Sequence, residues 1–246
     1  MNVIILSDLH IGSRYFFHRN FEQFLDHIPE DAEFILNGDI IDNPYAKLKP
    51  TDRQLLDRFG EMSLRQKLVW VRGNHDNGYI PDRLGKIQIK KHYALQKTLF
   101  ITHGDFFDEV MPQRRIFIKT FQMLHDLRIR LGARPVHVAQ YAKRWKRFYA
   151  YLRKNVMVNA VNYAAENGFK AVTCGHTHYA EERFVHGIRY INTGAWTEQP
   201  AYCVQVTETE ITLKKATDCF HPPRSDRHEK SQQSPAFNHI PAGFSS

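Results

Sequence analysis

Five short polar segments hold the residues with which this chain could do chemistry: Asp8-Leu9-His10, Gly38-Asp39-Ile40-Ile41-Asp42, Gly73-Asn74-His75-Asp76, His103-Gly104-Asp105 and Gly175-His176-Thr177-His178. Alternate side chains of an extended chain point the same way, so Asp8 with His10, and His176 with His178, each place two ligand-type groups on one side. Glycine before Asp39, Asn74 and His176 permits sharp turns and a close approach of backbone to an ion. Carboxylate and amide oxygens with imidazole nitrogens, and no thiolate, suit Mn, Fe, Zn or Mg rather than copper(I) or an iron–sulfur cluster. Taken singly, each segment is an ordinary turn. Jointly they meet the need of a catalytic metal site for several ligands delivered to one point.

Each segment follows a short apolar run: Val3 to Leu6, Phe34 to Leu36, Leu68 to Val71, Thr98 to Thr102 and Ala171 to Cys174. Such runs read as buried strands, and their ends are expected to gather at one edge, where α/β folds place their sites. Phe16 to Ile28, with Phe17, Phe21, Phe24, Leu25 and Ile28 at helical spacing and Pro29 after it, reads as a helix, and Gln54 to Gln66 likewise. Tyr190 to Asn192, Ala201 to Val206 and Glu210 to Lys214 read as later strands, the last two forming a hairpin. The alternation predicts an α/β fold in which two sheets form a sandwich flanked by helices.

The 246 residues are 42% hydrophobic with a mean hydropathy of -0.50, enough for a sizeable core in one domain. The longest apolar stretches are strand-sized, so no membrane-spanning helix is expected. Nor does the opening, which meets Asp8 at once, read as a secretory signal. Three cysteines, Cys174, Cys203 and Cys219, are too few and too scattered for a disulfide framework or a thiolate zinc site, so a cytoplasmic location is expected. Twelve of the 34 Lys and Arg and one of the 26 Asp and Glu fall between Met111 and Asn155, which gives that stretch a net +11 and leaves the rest at -3. A basic insert on a mildly acidic body implies an anionic partner, unless its charges merely solvate a helix face. Phe117, Phe121, Leu124 and Leu131 form one helical stripe in it, with Arg115, Lys119, Asp126 and Arg130 opposite; Val138, Tyr141, Trp145, Phe148 and Leu152 form a second. Arg128 falls on the first apolar stripe, where a buried guanidinium needs a partner such as a phosphate. The boundaries expected are a domain over 1–219 with the helical insert at 111–165, and a disordered tail over 220–246.

The series Asp8-x-His10, Gly38-Asp39-x-x-Asp42, Gly73-Asn74-His75-Asp76, His103 and Gly175-His176-x-His178 resembles the calcineurin-like metallophosphoesterase superfamily. Ser7-Asp8-Leu9-His10-Ile11-Gly12, His103-Gly104-Asp105-x-Phe107-Asp108 and Tyr190-Ile191-Asn192-Thr193-Gly194-Ala195-Trp196 are similar to the bacterial UDP-2,3-diacylglucosamine diphosphatase family of lipid A biosynthesis. That resemblance implies that Asp8, His10 and His178 hold one divalent ion, that Asn74, His103 and His176 hold another, and that Asp39 bridges them. It implies two ions, manganese foremost with Fe, Zn and Mg as alternatives, and attack on phosphorus by a metal-bound hydroxide. His75 would protonate the leaving oxygen, oriented by Asp42; Arg72 and Arg128 would contact substrate. Asp76 and Asp105 read as carboxylates that fix loops. The insert would be a helical lid. The lipid A enzymes commonly place an arginine where this chain has His75, whereas Gly-Asn-His-Asp is the commoner superfamily form.

The partner implied is a phosphate-bearing substrate, lipid-linked in this reading, with an anionic membrane face as a second surface for the insert, which would place the protein peripherally at the inner side of the cytoplasmic membrane. A competing reading is a nuclease or nucleotide phosphodiesterase whose insert tracks a nucleic-acid backbone while Trp145, Phe148 or Tyr149 stack on bases. Another is a non-catalytic scaffold that binds a membrane or partner, against which the full ligand set argues. The oligomeric state stays open.

Overall fold

Val3–Leu6 is buried at every position, which suits a strand covered on both faces, and it is strand β1 at the centre of the larger of two sheets. The computed structural model describes residues 2–113, 115–133 and 135–219, with backbone alone for 112–113, 115–122 and 138. The expected tail over 220–246 lies outside the described residues. After β1 come α1 (His18–Leu25), β2 (Glu33–Asn37), α2 (Pro50–Met62), β3 (Leu68–Val71), β4 (Gln88–Lys90), β5 (Tyr93–Leu95) and β6 (Leu99–Ile101). The insert holds α3 (Val110–Gln113), α4 (Arg115–Arg130), α5 (Val138–Ala142) and α6 (Lys146–Glu166). The chain then forms β7 (Ala171–Cys174), β8 (Glu181–Val185), β9 (Ile188–Asn192), β10 (Tyr202–Val206) and β11 (Ile211–Lys215).

One sheet runs β11-β10-β1-β2-β3-β4 and the other β5-β6-β7-β9-β8. The neighbours β1 to β4 are parallel, as are β6, β7 and β9. Period-two alternation divides each strand between two layers. Val3, Ile5, Ile35, Val69 and Val71 meet Leu99, Ile101, Ala171 and Ile191 between the sheets. Ile4, Leu6, Phe34, Leu36 and Trp70 face outward onto Phe21 and Phe24 of α1 and Leu55 and Phe59 of α2. On the other side Phe100, Val172, Cys174 and Tyr190 pack on Val156, Ala160, Val161 and Ala164 of α6. The result is the expected sandwich with helices outside. Fully buried Phe21, edge-on to Trp196, contributes about 2–3 kcal/mol by burial.

Two expectations need correction. The stripe from Val138 to Leu152 is two helices, not one: the chain turns at Lys143–Trp145, where Lys143 Nζ is held by Glu198 and the carbonyl of His178. Periodicity alone cannot show such a tertiary tie. The cysteines are not all isolated either, because the β10–β11 hairpin and the 3-10 turn after it bring Cys203 and Cys219 together as a disulfide; Cys174 is buried and free.

Candidate metal centre

Because β1, β2, β3, β6, β7 and β9 share a direction within their sheets, the loops after them emerge at one edge. Main-chain bonds continue there beyond the strands: Asp8 N to Gly38 O, His10 N to Asp39 O, and Gly175 N to His103 O. The two sheets are joined at the site itself, since His176 N donates to the Asp8 carboxylate at 3.1 Å, and Ser7 Oγ lies against both that carboxylate and Thr193.

Asp8, His10, Asp39, His176 and His178 all have left-handed backbone, with φ between 52° and 63°. That conformation is uncommon for residues bearing a Cβ, and five at one locus are the strain expected where ligand direction outweighs local preference. Gly73 and Gly175 serve by absence of a side chain rather than by an unusual φ. A Cβ at Gly73 would lie 2.3 Å from Asp39 Oδ1, and one at Gly175 would lie 2.1 Å from Asp8 Oδ2. Each glycine therefore makes room for a carboxylate from another loop.

The donor set fits divalent cations. His10 Nε2 and His178 Nε2 approach to 3.1 Å, with Asp8 Oδ1 3.1 Å from the latter. His10 Nδ1 donates to Asp42 Oδ1 at 3.1 Å, which leaves its Nε2 lone pair for an ion. His103 Nδ1 donates to Asn37 O, while its buried Nε2 lies 3.2 Å from Asp39 Oδ2 without hydrogen-bond geometry. That is how two ligands of one ion lie. Asp8, His10 and His178 form one such group, and Asp8, Asp39 and His103 another. Asn74 Oδ1 and His176 Nδ1 pair at 3.1 Å, and the His176 ring stands 5.4 Å from that of His103.

Burial works to raise the Asp39 carboxyl, but the charge of the facing His103, then that of His10, holds it well below the usual carboxylate range. The same balance, led by His178, lowers Asp8. Burial lowers His178 despite Asp8, whereas facing carboxylates raise His10 and His103.

The structure changes one role expected from the sequence. Asp42 does not face His75 with its carboxylate, which pairs with His10; its main-chain carbonyl accepts from His75 Nδ1 at 2.7 Å. His75 is 40% exposed, with Nε2 4.0 Å from Asp39 Oδ2. Asp76 ties loops, accepting from Ile40 N, Trp70 Nε1 and Gly73 N, whereas Asp105 heads a 3-10 turn on the wall of a cleft. Arg72 braces the following loop through the carbonyls of Asp76 and Tyr79. Arg128 stacks at 4.7 Å over Tyr141, a ring that also meets His125 and Arg144. Met123, Leu124 and Leu127 on its helix, and Leu131 just past the end, are exposed; the side chains of Arg115, Phe117, Lys119 and Phe121 lie outside the described residues. Tyr149 is buried with its hydroxyl on Thr177 O, so it cannot stack on a base.

Two residues escaped the sequence reading. Asp108 Oδ2 takes His176 Nε2 at 2.8 Å, and its other oxygen accepts from Val110 N and Met111 N. Its place in the His103–Asp108 motif was the available signal. His137, from the insert, lies beside His10 and His178 and carried none. Burial, then the charges of His178 and His10, push its pKa down to about 3.

Residues 1–180 match the family described as Calcineurin-like phosphoesterase. Comparison with curated proteins gave no match. Among solved structures, the chain is similar to Yfce, a phosphoesterase from E. coli, at 16% identity and a TM-score of 0.47, covering 89% of this chain and 94% of that one. It is also similar to a predicted phosphoesterase from Streptococcus pneumoniae, at 16%, 0.38, 86% and 86%, and to an archaeal phosphodiesterase, at 17%, 0.42, 87% and 99%. Among the described residues, no helix is long and apolar enough to cross a membrane.

Proposed function

The chain belongs to the calcineurin-like phosphoesterase family and is a metal-dependent phosphoester hydrolase, and from that premise we propose that its substrate is a nucleotide-linked lipid diphosphate resembling UDP-2,3-diacylglucosamine. Two bound divalent ions, manganese in this reading, would neutralise phosphoryl charge and activate water. Asp8, His10, Asp39, Asn74, His103, His176 and His178 would hold them. His75 would carry the proton to the leaving oxygen. Its Nδ1–H is committed to the carbonyl of Asp42, so Nε2 is the nitrogen that takes up and releases a proton. Arg72, at the rim of the neighbouring cleft, would contact a second phosphate. Arg128 would reach it from the insert.

The observation that carries the lipid reading is the exposure of Met123, Leu124 and Leu127 on α4, and of Leu131 just past its end, within the segment of net charge +11. Apolar side chains beside cations suit a ligand with a greasy tail and an anionic head, or the inner face of a membrane that bears it. A panel followed by phosphorus NMR with manganese tests this: UDP-diacylglucosamine, other nucleoside diphosphate derivatives, oligonucleotides and phosphomonoesters. Fastest turnover of the acylated nucleotide, responsive to acyl length, is expected. Faster cleavage of oligonucleotides, with affinity falling steeply in salt, would favour the nuclease reading instead.

A further inference from the structure

Three side chains fasten the insert to the loop that carries His176 and His178 and to the start of β8 after it. Lys143 Nζ donates to His178 O at 2.6 Å and to Glu198 at 2.7 Å, the Tyr149 hydroxyl donates to Thr177 O, and the Arg153 guanidinium grips Glu181 through two nitrogens. Paired or capped polar groups of this kind fix position as well as contributing energy. They hold α5 over the Asp8, His10 and His178 side of the centre, and the residue at the start of that helix is His137.

The His137 ring is held by three aromatic neighbours. It lies nearly parallel to His178, at 5.3 Å and 21°, with His10 at 5.4 Å and the edge of Tyr15 at 5.7 Å. One of its nitrogens is within 4.8 Å of ligand atoms of His10 and Asp42. Its Nδ1 accepts from Ala139 N at 3.3 Å as the cap of α5. A nitrogen that accepts has its lone pair engaged, so the proton of the neutral ring resides on Nε2.

We propose that His137 is a substrate-binding residue of the insert, whose Nε2–H donates to a phosphoryl oxygen held at the metal centre. The proposal rests on the phosphoesterase reading. A role as metal ligand fits less well, because Asp42 is already bonded to His10 and the His137 lone pair is already used by Ala139 N. A packing role fits less well too, since the ring is only half-buried. A donor fixed next to the ions would discriminate tetrahedral phosphate from other anions and would couple substrate affinity to docking of the insert.

Inorganic phosphate is the probe. Its affinity for the full-length, manganese-loaded protein, measured by calorimetry beside metal content, should fall about tenfold or more in His137→Ala with metal content unchanged. His137→Gln, which keeps a donor near the place of Nε2, should recover most of the loss. Phosphate affinity within twofold of wild type in His137→Ala, or a loss of metal in that variant, would overturn the proposal. If the wild type itself binds no phosphate, the phosphoesterase reading falls with it; if only the variants are indistinguishable from wild type, the role of His137 alone falls.

Discussion

Asp42 holds His75 by its main-chain carbonyl, at 2.7 Å from Nδ1, and spends its carboxylate on His10. The bond that orients the His75 ring therefore survives loss of the Asp42 side chain, whereas the one that aims His10, proposed as a metal ligand, does not. Asp42→Asn should weaken metal binding by about 10- to 100-fold, the usual effect of losing a ligand's hydrogen-bond partner, and leave turnover at saturating metal far less affected. Metal titration beside kcat separates the two. Intact metal affinity with a selective loss on poor leaving groups would return the carboxylate to His75.

His75 lies beside the candidate ligands, its Nε2 4.0 Å from Asp39 Oδ2 and its ring 4.9 Å from that of His10, so metal content must be measured to separate a proton-transfer role from ligation. His75→Ala should keep wild-type metal content and lose about 10²- to 10⁴-fold in turnover, the range for removal of a general acid. Elemental analysis and steady-state kinetics on the same preparation check this.

Asp39 meets His103 and receives His75 N on its two oxygens, so one carboxylate ties two loops at the proposed metal centre. Asp39→Ala should lose metal and activity together. An active, fully metallated variant would contradict the bridging role.

Gly175→Ala offers a test with no polar group removed. The new methyl would meet Asp8 Oδ2 at 2.1 Å and Ser7 Oγ at 2.3 Å, and the crowded carboxylate must turn. Metal affinity should fall by about tenfold or more, with thermal stability reduced by the overpacking cost of about 1–3 kcal/mol. Unchanged affinity would show that Asp8 can rotate without cost to the site.

Asp76 should matter to stability before chemistry. Asp76→Ala strands Ile40 N, Trp70 Nε1 and Gly73 N, each a donor that loses about 1 kcal/mol or more when left unpaired in the interior. A total of about 3 kcal/mol corresponds to a melting temperature lower by about 6–12 °C in a domain of this size. A melt within a degree or two of wild type would mean that water replaces the carboxylate.

Sequence by itself determined the loops that carry the ligands. A strand buried on both faces shows as a short apolar run, and the polar Asp, His, Asn and Gly segments that follow Leu6, Asn37, Val71, Ile101 and Cys174 end such runs, so both the strands and the points of chemistry are local signals. The tertiary structure decided the partners. Nothing in spacing distinguishes the carboxylate of Asp42 from its carbonyl, sends Asp108 to His176, or brings His137 from the insert to His10, because each depends on how separate elements pack. The three strands that periodicity missed, Gln88–Lys90, Tyr93–Leu95 and Glu181–Val185, lie at sheet edges and all but Leu95 are partly or fully exposed; a neighbouring strand supplies their hydrogen bonds, and their own sequence need not alternate. Helical spacing from Val138 to Leu152 likewise could not reveal the turn at Lys143, which is held by Glu198 and His178 far along the chain. Local pattern records what a residue must be buried against, while the choice among distant polar partners is made only when the two sheets close on one another.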